Sequence, residues 1–135
     1  MRYLVDANVL REATKPAPDP RVLEWLAHHE REIAVDPIIL GEICFGILLL
    51  PIGARRARLE RWFQEGVERI HCLPWEAATG LRWAHLLAEL RSRGRSMQIK
   101  DSLIAATALV HGIAVVTRNR QDFEKAGVEI IDPFS

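Results

Sequence analysis

The chain has 135 residues, 49% hydrophobic and 27% charged, and its 18 basic and 18 acidic side chains leave a formal net charge of zero. These values describe one globular domain; they exclude a disordered chain and any nucleic-acid role that rests on overall charge, leaving only local patches. The two cysteines, Cys44 and Cys72, join no CxxC or Cys/His cluster, so no disulfide framework or zinc site is expected.

The first residues meet an acid, Asp6, too early for a secretory signal, and the apolar run Ile47 to Leu50 stops at Pro51, far short of a membrane span. A cytoplasmic protein with no membrane contact is expected. Tyr3-Leu4-Val5 predicts a short first strand ended by Asp6, and a helix then runs to about Thr14. Pro16, Pro18 and Pro20 mark a loop. Asp19 before Pro20 is a helix start, and that helix ends near His29. Ile33-Ala34-Val35 predicts a second strand. Asp36-Pro37 repeats the cap and opens a helix from Ile38 to Leu50 whose only ionisable side chain on its apolar surface is Glu42. Ala54 to Glu68 reads as an amphipathic helix rich in arginine, Ile70 to Leu73 as a third strand, and Trp75 to Arg93 as a long helix closed by Gly94. Arg95 to Ile99 is a loop. A helix with Asp101 in its first turn runs to His111, then come a buried strand Ile113 to Thr117, a short helix around Asp122 to Ala126, and a last strand Val128 to Ile131.

Strands alternating with helices predict an α/β fold with a mostly parallel central sheet flanked by helices, in a single domain spanning 1–135. Ligands of such sheets bind outside the carboxyl ends of the strands. Asp6 ends the first strand, and Thr117 and Asn119 follow the strand Ile113 to Val116. Asp101 starts a helix at the same edge, and Glu42 lies about a turn and a half into another. Four acids distant in sequence, Asp6, Glu42, Asp101 and Asp122, therefore converge on one sheet edge.

Two unit charges 4 Å apart repel by about 4 kcal/mol at an effective dielectric near 20. Four clustered carboxylates must be protonated, separated or neutralised by a cation. Hard oxygen donors without His or Cys suit Mg²⁺ or Mn²⁺ rather than zinc. Such a site is equipment for phosphodiester hydrolysis, where the cation activates water and takes up charge developing on the phosphate. Each acid also has a plainer reading: Asp6, Asp101 and Asp122 can serve as caps or turn residues. A lone Glu42 on an apolar helix is harder to explain without a partner.

Leu4-Val5-Asp6-Ala7-Asn8-Val9-Leu10, Glu42 in its apolar helix, Lys100-Asp101-Ser102-Leu103-Ile104-Ala105-Ala106 and Thr117-Arg118-Asn119-Arg120-Gln121-Asp122-Phe123 together resemble the PIN domain, and more narrowly the VapC-type toxins of bacterial toxin–antitoxin pairs. The resemblance spans the whole chain, to Ile131-Asp132-Pro133-Phe134. It implies a PIN-like three-layer fold and a Mg²⁺-dependent endoribonuclease (Mn²⁺ an alternative ion) that leaves a 5′-phosphate. It also implies a homodimer, neutralised by a cognate VapB-like antitoxin whose C-terminal segment enters the acidic groove. Asp6, Glu42 and Asp101 fall on the family's three acids. Many members carry a fourth acid two residues after the Thr that ends the strand; Asn119 stands there, and Asp122 is the expected substitute. One firmly held ion is therefore expected rather than two. Ala7 replaces a frequent Thr or Ser, which leaves Asn8, with Thr117 and Asn119, to orient the ligands.

Arg95 and Lys100, before Asp101, and Arg118 and Arg120, around Asn119, are the expected contacts to RNA phosphates. Arg55, Arg56, Arg58 and Arg61 read as a solvated helix face or an antitoxin contact. Two rivals remain. A haloacid-dehalogenase-like phosphatase using Asp6 as nucleophile needs an acid where Asn8 stands. A catalytically weak PIN scaffold that binds RNA or a protein partner draws support from Asn119.

Overall fold

The strands are short, and the three central ones are largely buried on both faces, which is why those read as unbroken apolar runs rather than alternations. In the computed structural model, which describes residues 1–135, they are β1 (Tyr3–Val5), β2 (Ile33–Val35), β3 (His71–Cys72), β4 (Ala114–Val116) and β5 (Ile130–Ile131). They form one sheet in the order β3-β2-β1-β4-β5, with every pair parallel. Leu4, Val5, Val35, Val115 and Val116 are fully buried and centre the core. Burying each such side chain is worth about 1.5–3 kcal/mol.

Seven helices flank the sheet: α1 (Ala7–Glu12), α2 (Pro20–His28), α3 (Pro37–Leu48), α4 (Ala54–Glu65), α5 (Ala77–Ser92), α6 (Ile99–His111) and α7 (Arg120–Phe123). α5 packs on α6, α6 on α3, and α3 on both α1 and α4. The expected caps are present. The Asp19 side chain accepts from Arg21 N–H at 2.9 Å, and that of Asp36 from Ile39 N–H at 2.9 Å. Gly112, at φ 63°, ends α6 in the left-handed region that favours glycine. No helix is long and apolar enough to cross a membrane.

The departures from expectation are at element ends. α1 stops at Glu12, and residues 13–15 continue it only as i→i−3 turns. The helix expected to reach Glu68 ends at Glu65. At Gly66 a Cβ would sit 3.0 Å from the Trp62 carbonyl oxygen, and a 3₁₀ turn, Val67–Arg69, follows. α5 begins at Ala77 rather than Trp75, because Glu76 and Thr79 form a reciprocal capping box there. Cys44 and Cys72 are free and half-buried.

The strand order has one consequence for function. The chain builds β1, β2 and β3 outward in one direction, then returns to lay β4 on the other side of β1. The order reverses between β1 and β4, and a crevice opens there, outside the strands' carboxyl ends.

Candidate active site

Asp6 and Thr117 are the first residues past the ends of β1 and β4, so the fold places them side by side at this crevice. Asp6 is 6% exposed. Its Oδ1 accepts from Ala7 N–H at 2.8 Å; its Oδ2 accepts from Thr117 Oγ1 at 2.8 Å and Asn8 Nδ2 at 3.2 Å. Asn8 Oδ1 in turn accepts from Arg118 N–H at 3.1 Å, and Thr117 Oγ1 from Asn119 N–H at 3.1 Å. Asn8 and Thr117 thus orient the carboxylate as expected. Asn119 contributes its backbone N–H.

The other acids arrive on helices. Asp101 lies in the first turn of α6 and is 8% exposed. Burial raises its pKa to about 6; the nearby Asp122 charge is the next cause, Asp6 and Glu42 add to it, and Lys100 opposes it. Burial also raises the Asp6 carboxyl above its usual range and Glu42 adds to this, against the hydrogen bonds from Thr117 and Ala7 and the charge of Lys100. Asp101 therefore feels the charges of Asp122, Asp6 and Glu42, and Asp6 feels that of Glu42. Asp122 is exposed on α7, and it bounds a hollow of about 290 Å³ with Asp101, Gln98, Gln121 and Lys125.

Glu42 has the partner its apolar helix demanded, and that partner is Lys100. Lys100 Nζ donates to Glu42 Oε2 at 2.7 Å, and Arg11 Nη2 stands 3.8 Å from the same oxygen. Glu42 Oε1 is buried with no partner. No three acidic, His or Cys side chains stand together as a finished ligand shell. The donor set nonetheless fits a hard divalent cation. It is all carboxylate oxygen, it repels itself, and one buried oxygen keeps its valence unused.

The expected cations divide. Arg118 lies over the Phe134 ring at 4.8 Å and faces a groove of about 400 Å³ beside Asn8. Arg120 donates instead to the Ile130 carbonyl at 3.3 Å, along β5. Arg95 is exposed in the loop after α5 and makes no side-chain contact with the acids. The groove adds residues that sequence reasoning missed. Arg11, Lys15 and Arg55 line it with Arg118, above an apolar floor of Ile43, Ile47, Leu59 and Trp62. Arg11 carried a readable signal, because it lies three residues after Asn8 on one face of α1. Trp25 stacks on His29 with centroids 4.2 Å apart, and Trp83 Nε1 donates to Ser102 Oγ at 2.9 Å, steadying the residue beside Asp101.

A family model described as the PIN domain matches residues 3–129. The chain belongs to the PIN domain family. Among curated proteins, this PIN domain is 33% identical to the VapC ribonuclease Y4jK of Sinorhizobium fredii, over 97% of this chain and 96% of that protein. It is likewise 33% identical to ribonuclease VapC4 of Mycobacterium tuberculosis, over 96% and 95%. Among solved structures, FitAcB from Neisseria gonorrhoeae superposes with a TM-score of 0.90 at 26% identity, covering 98% of both chains. The PIN-like fold and the VapC resemblance inferred from the motifs are thereby shown.

The Asp101 carboxyl yields a prediction of its own. After burial the Asp122 charge is the largest cause of the shift, so Asp122→Asn should move the Asp101 midpoint from about 6 toward the ordinary carboxylate range, as followed by carboxyl-carbon NMR. An unmoved midpoint would remove Asp122 from the site.

Proposed function

We propose that this chain is the ribonuclease toxin of a toxin–antitoxin pair, cutting RNA in the cytoplasm with Mg²⁺, or Mn²⁺ in its place. The observation that carries the reading is the carboxylate of Asp6, buried at the β1/β4 switch point, fixed by three hydrogen bonds and close enough to Glu42 and Asp101 for their charges to interact. Relatives at 33% identity that bear the name ribonuclease support it. Asp6, Asp101 and Glu42 would hold the ion, with Asp122 completing the acidic edge. The bound cation would supply the Lewis acidity and water activation of the reaction. The chain's own part is to fix the Asp6 carboxylate at the end of β1, through Ala7 N–H, Thr117 and Asn8. It also lines the approach with the cations Arg118 and Arg11, which attract and orient the RNA backbone.

The antitoxin reading draws on FitAcB, and on the structure of FitAB bound to an IR36 DNA fragment. In this chain the apolar floor and basic walls of the groove between α1, α3 and α4 suit an amphipathic, acidic segment of a VapB-like partner. Phe45, Leu48, Leu49 and Ile52 form an exposed apolar face at the end of α3, and we assign the homodimer contact there. The scaffold alternative rests on Asn119 and on the hold of Lys100 on Glu42.

Expression in a bacterial host separates the two. The toxin reading expects growth arrest and loss of RNA integrity, both relieved by co-expressing a cognate antitoxin. Normal growth with intact RNA, at a confirmed level of folded protein, would favour the scaffold.

A further inference from the structure

Lys100 has a place within the carboxylates that differs in kind from its expected role. It was expected at an RNA phosphate, yet its ammonium is drawn into the carboxylates, 2.7 Å from Glu42 Oε2. The charges that face it are Glu42, Asp101 and Asp6, with Arg11 the one cation on the same oxygen at the longer distance of 3.8 Å. Its side chain is 46% exposed, so it can swing into water at little cost in packing. A Mg²⁺ ion needs oxygens at about 2.0–2.1 Å in a near-ideal octahedron, and an ammonium on the same carboxylate blocks that approach.

We propose that Lys100 is an internal competitor of the divalent cation, a tethered positive charge that must leave Glu42 before the ion can use both of its oxygens. The inference rests on the metal-dependent reading above. Lys100 does two opposed things. It relieves repulsion among the acids and so favours the folded chain, and it lowers the affinity of the site for a free ion. Binding of the ion also turns the ammonium outward, where it becomes available to an incoming phosphate. Lys100 is thus a positioning residue for Glu42.

Mn²⁺ titration by calorimetry of the full chain at pH 8 tests this, with Lys100→Gln and Lys100→Arg as variants and Glu42→Gln as reference. Removing the competing charge should tighten Mn²⁺ binding about tenfold in Lys100→Gln, since a unit charge at this range is worth more than that at an intermediate dielectric. Lys100→Arg, which keeps the charge, should bind like the natural chain. In EDTA the Lys100→Gln protein should melt below the natural chain, and saturating Mn²⁺ should close the gap. Equal or weaker Mn²⁺ binding in Lys100→Gln overturns the proposal, as does tightening in Lys100→Arg. Failure of every protein, the natural chain included, to bind Mn²⁺ would instead overturn the metal reading on which the proposal stands.

Discussion

Asp101→Asn should cut RNA on the order of a thousandfold more slowly than the natural chain, the scale of losing one preorganised charge at a reacting phosphate. The same variant should be more stable. The folded-state pKa of Asp101 is raised from 3.8 to about 6. A raised carboxyl pKa means that the folded chain holds the proton more tightly than the unfolded one. Its stabilising contribution is therefore complete below about pH 4 and lost as pH rises through about 6. At pH 8 the ionised Asp101, with its shift discounted for solvent screening, costs the fold on the order of 2 kcal/mol, and an amide does not bear that cost. Asp101→Asn should thus melt roughly 5 °C higher at pH 8, with the difference vanishing near pH 4. An inactive protein with a raised melting temperature assigns the loss to chemistry and not to unfolding. Asp6→Asn should be equally inactive but gain no such stability. Its amide would present a donor to Asn8 Nδ2, which now donates to the carboxylate at 3.2 Å.

Asp36→Ala should cost about 3 kcal/mol, combining a lost helix cap of about 1 kcal/mol with about 2 for the buried Thr107 hydroxyl left without its acceptor. Asp36 is fully buried. Its Oδ1 accepts from Ile39 N–H and its Oδ2 from Thr107 Oγ1 at 2.7 Å. The two bonds tie the start of α3 to the middle of α6, the helices that carry Glu42 and the Lys100–Asp101 pair. Alanine leaves a buried hydroxyl and a helix N–H without partners, and the melting temperature should fall by roughly 10 °C. Asp36→Asn is the informative control. Burial raises the Asp36 carboxyl above its usual range, so the charge itself adds nothing the fold needs. An asparagine can accept from Ile39 while its amide meets Thr107, whose hydroxyl can turn to accept. It should stay within about 1 kcal/mol of the natural chain. Equal losses for alanine and asparagine would show that the ionised group, not the hydrogen-bonding pattern, holds α3 to α6.

The acids were legible because each sits where a periodic pattern ends. Asp6 stops an apolar strand, Asp101 opens an apolar helix, and Glu42 interrupts an apolar surface that would not otherwise bear a charge. Their partners were not legible. Lys100 and Glu42 are separated by 58 residues, and Thr107 and Asp36 by 71; no local signal links either pair. Asp36 was read only as a cap, since Asp before Pro explains itself at the helix start and hides the second bond. Gly66 ended its helix early for a backbone reason that hydrophobic spacing does not register. The strand order that creates the crevice could be expected only in class; its reversal between β1 and β4 came from pairing.

The central claim is hydrolysis of RNA by a cation held on Asp6, Asp101 and Glu42. Its most direct measurement incubates the purified chain with total bacterial RNA in Mg²⁺, in EDTA, and in EDTA followed by excess Mg²⁺. Cleavage leaving 5′-phosphate ends in the first and third samples, and none in the second or with Asp101→Asn, is the predicted result. Cleavage that persists in EDTA, or that Asp101→Asn carries out at the natural rate, would contradict it.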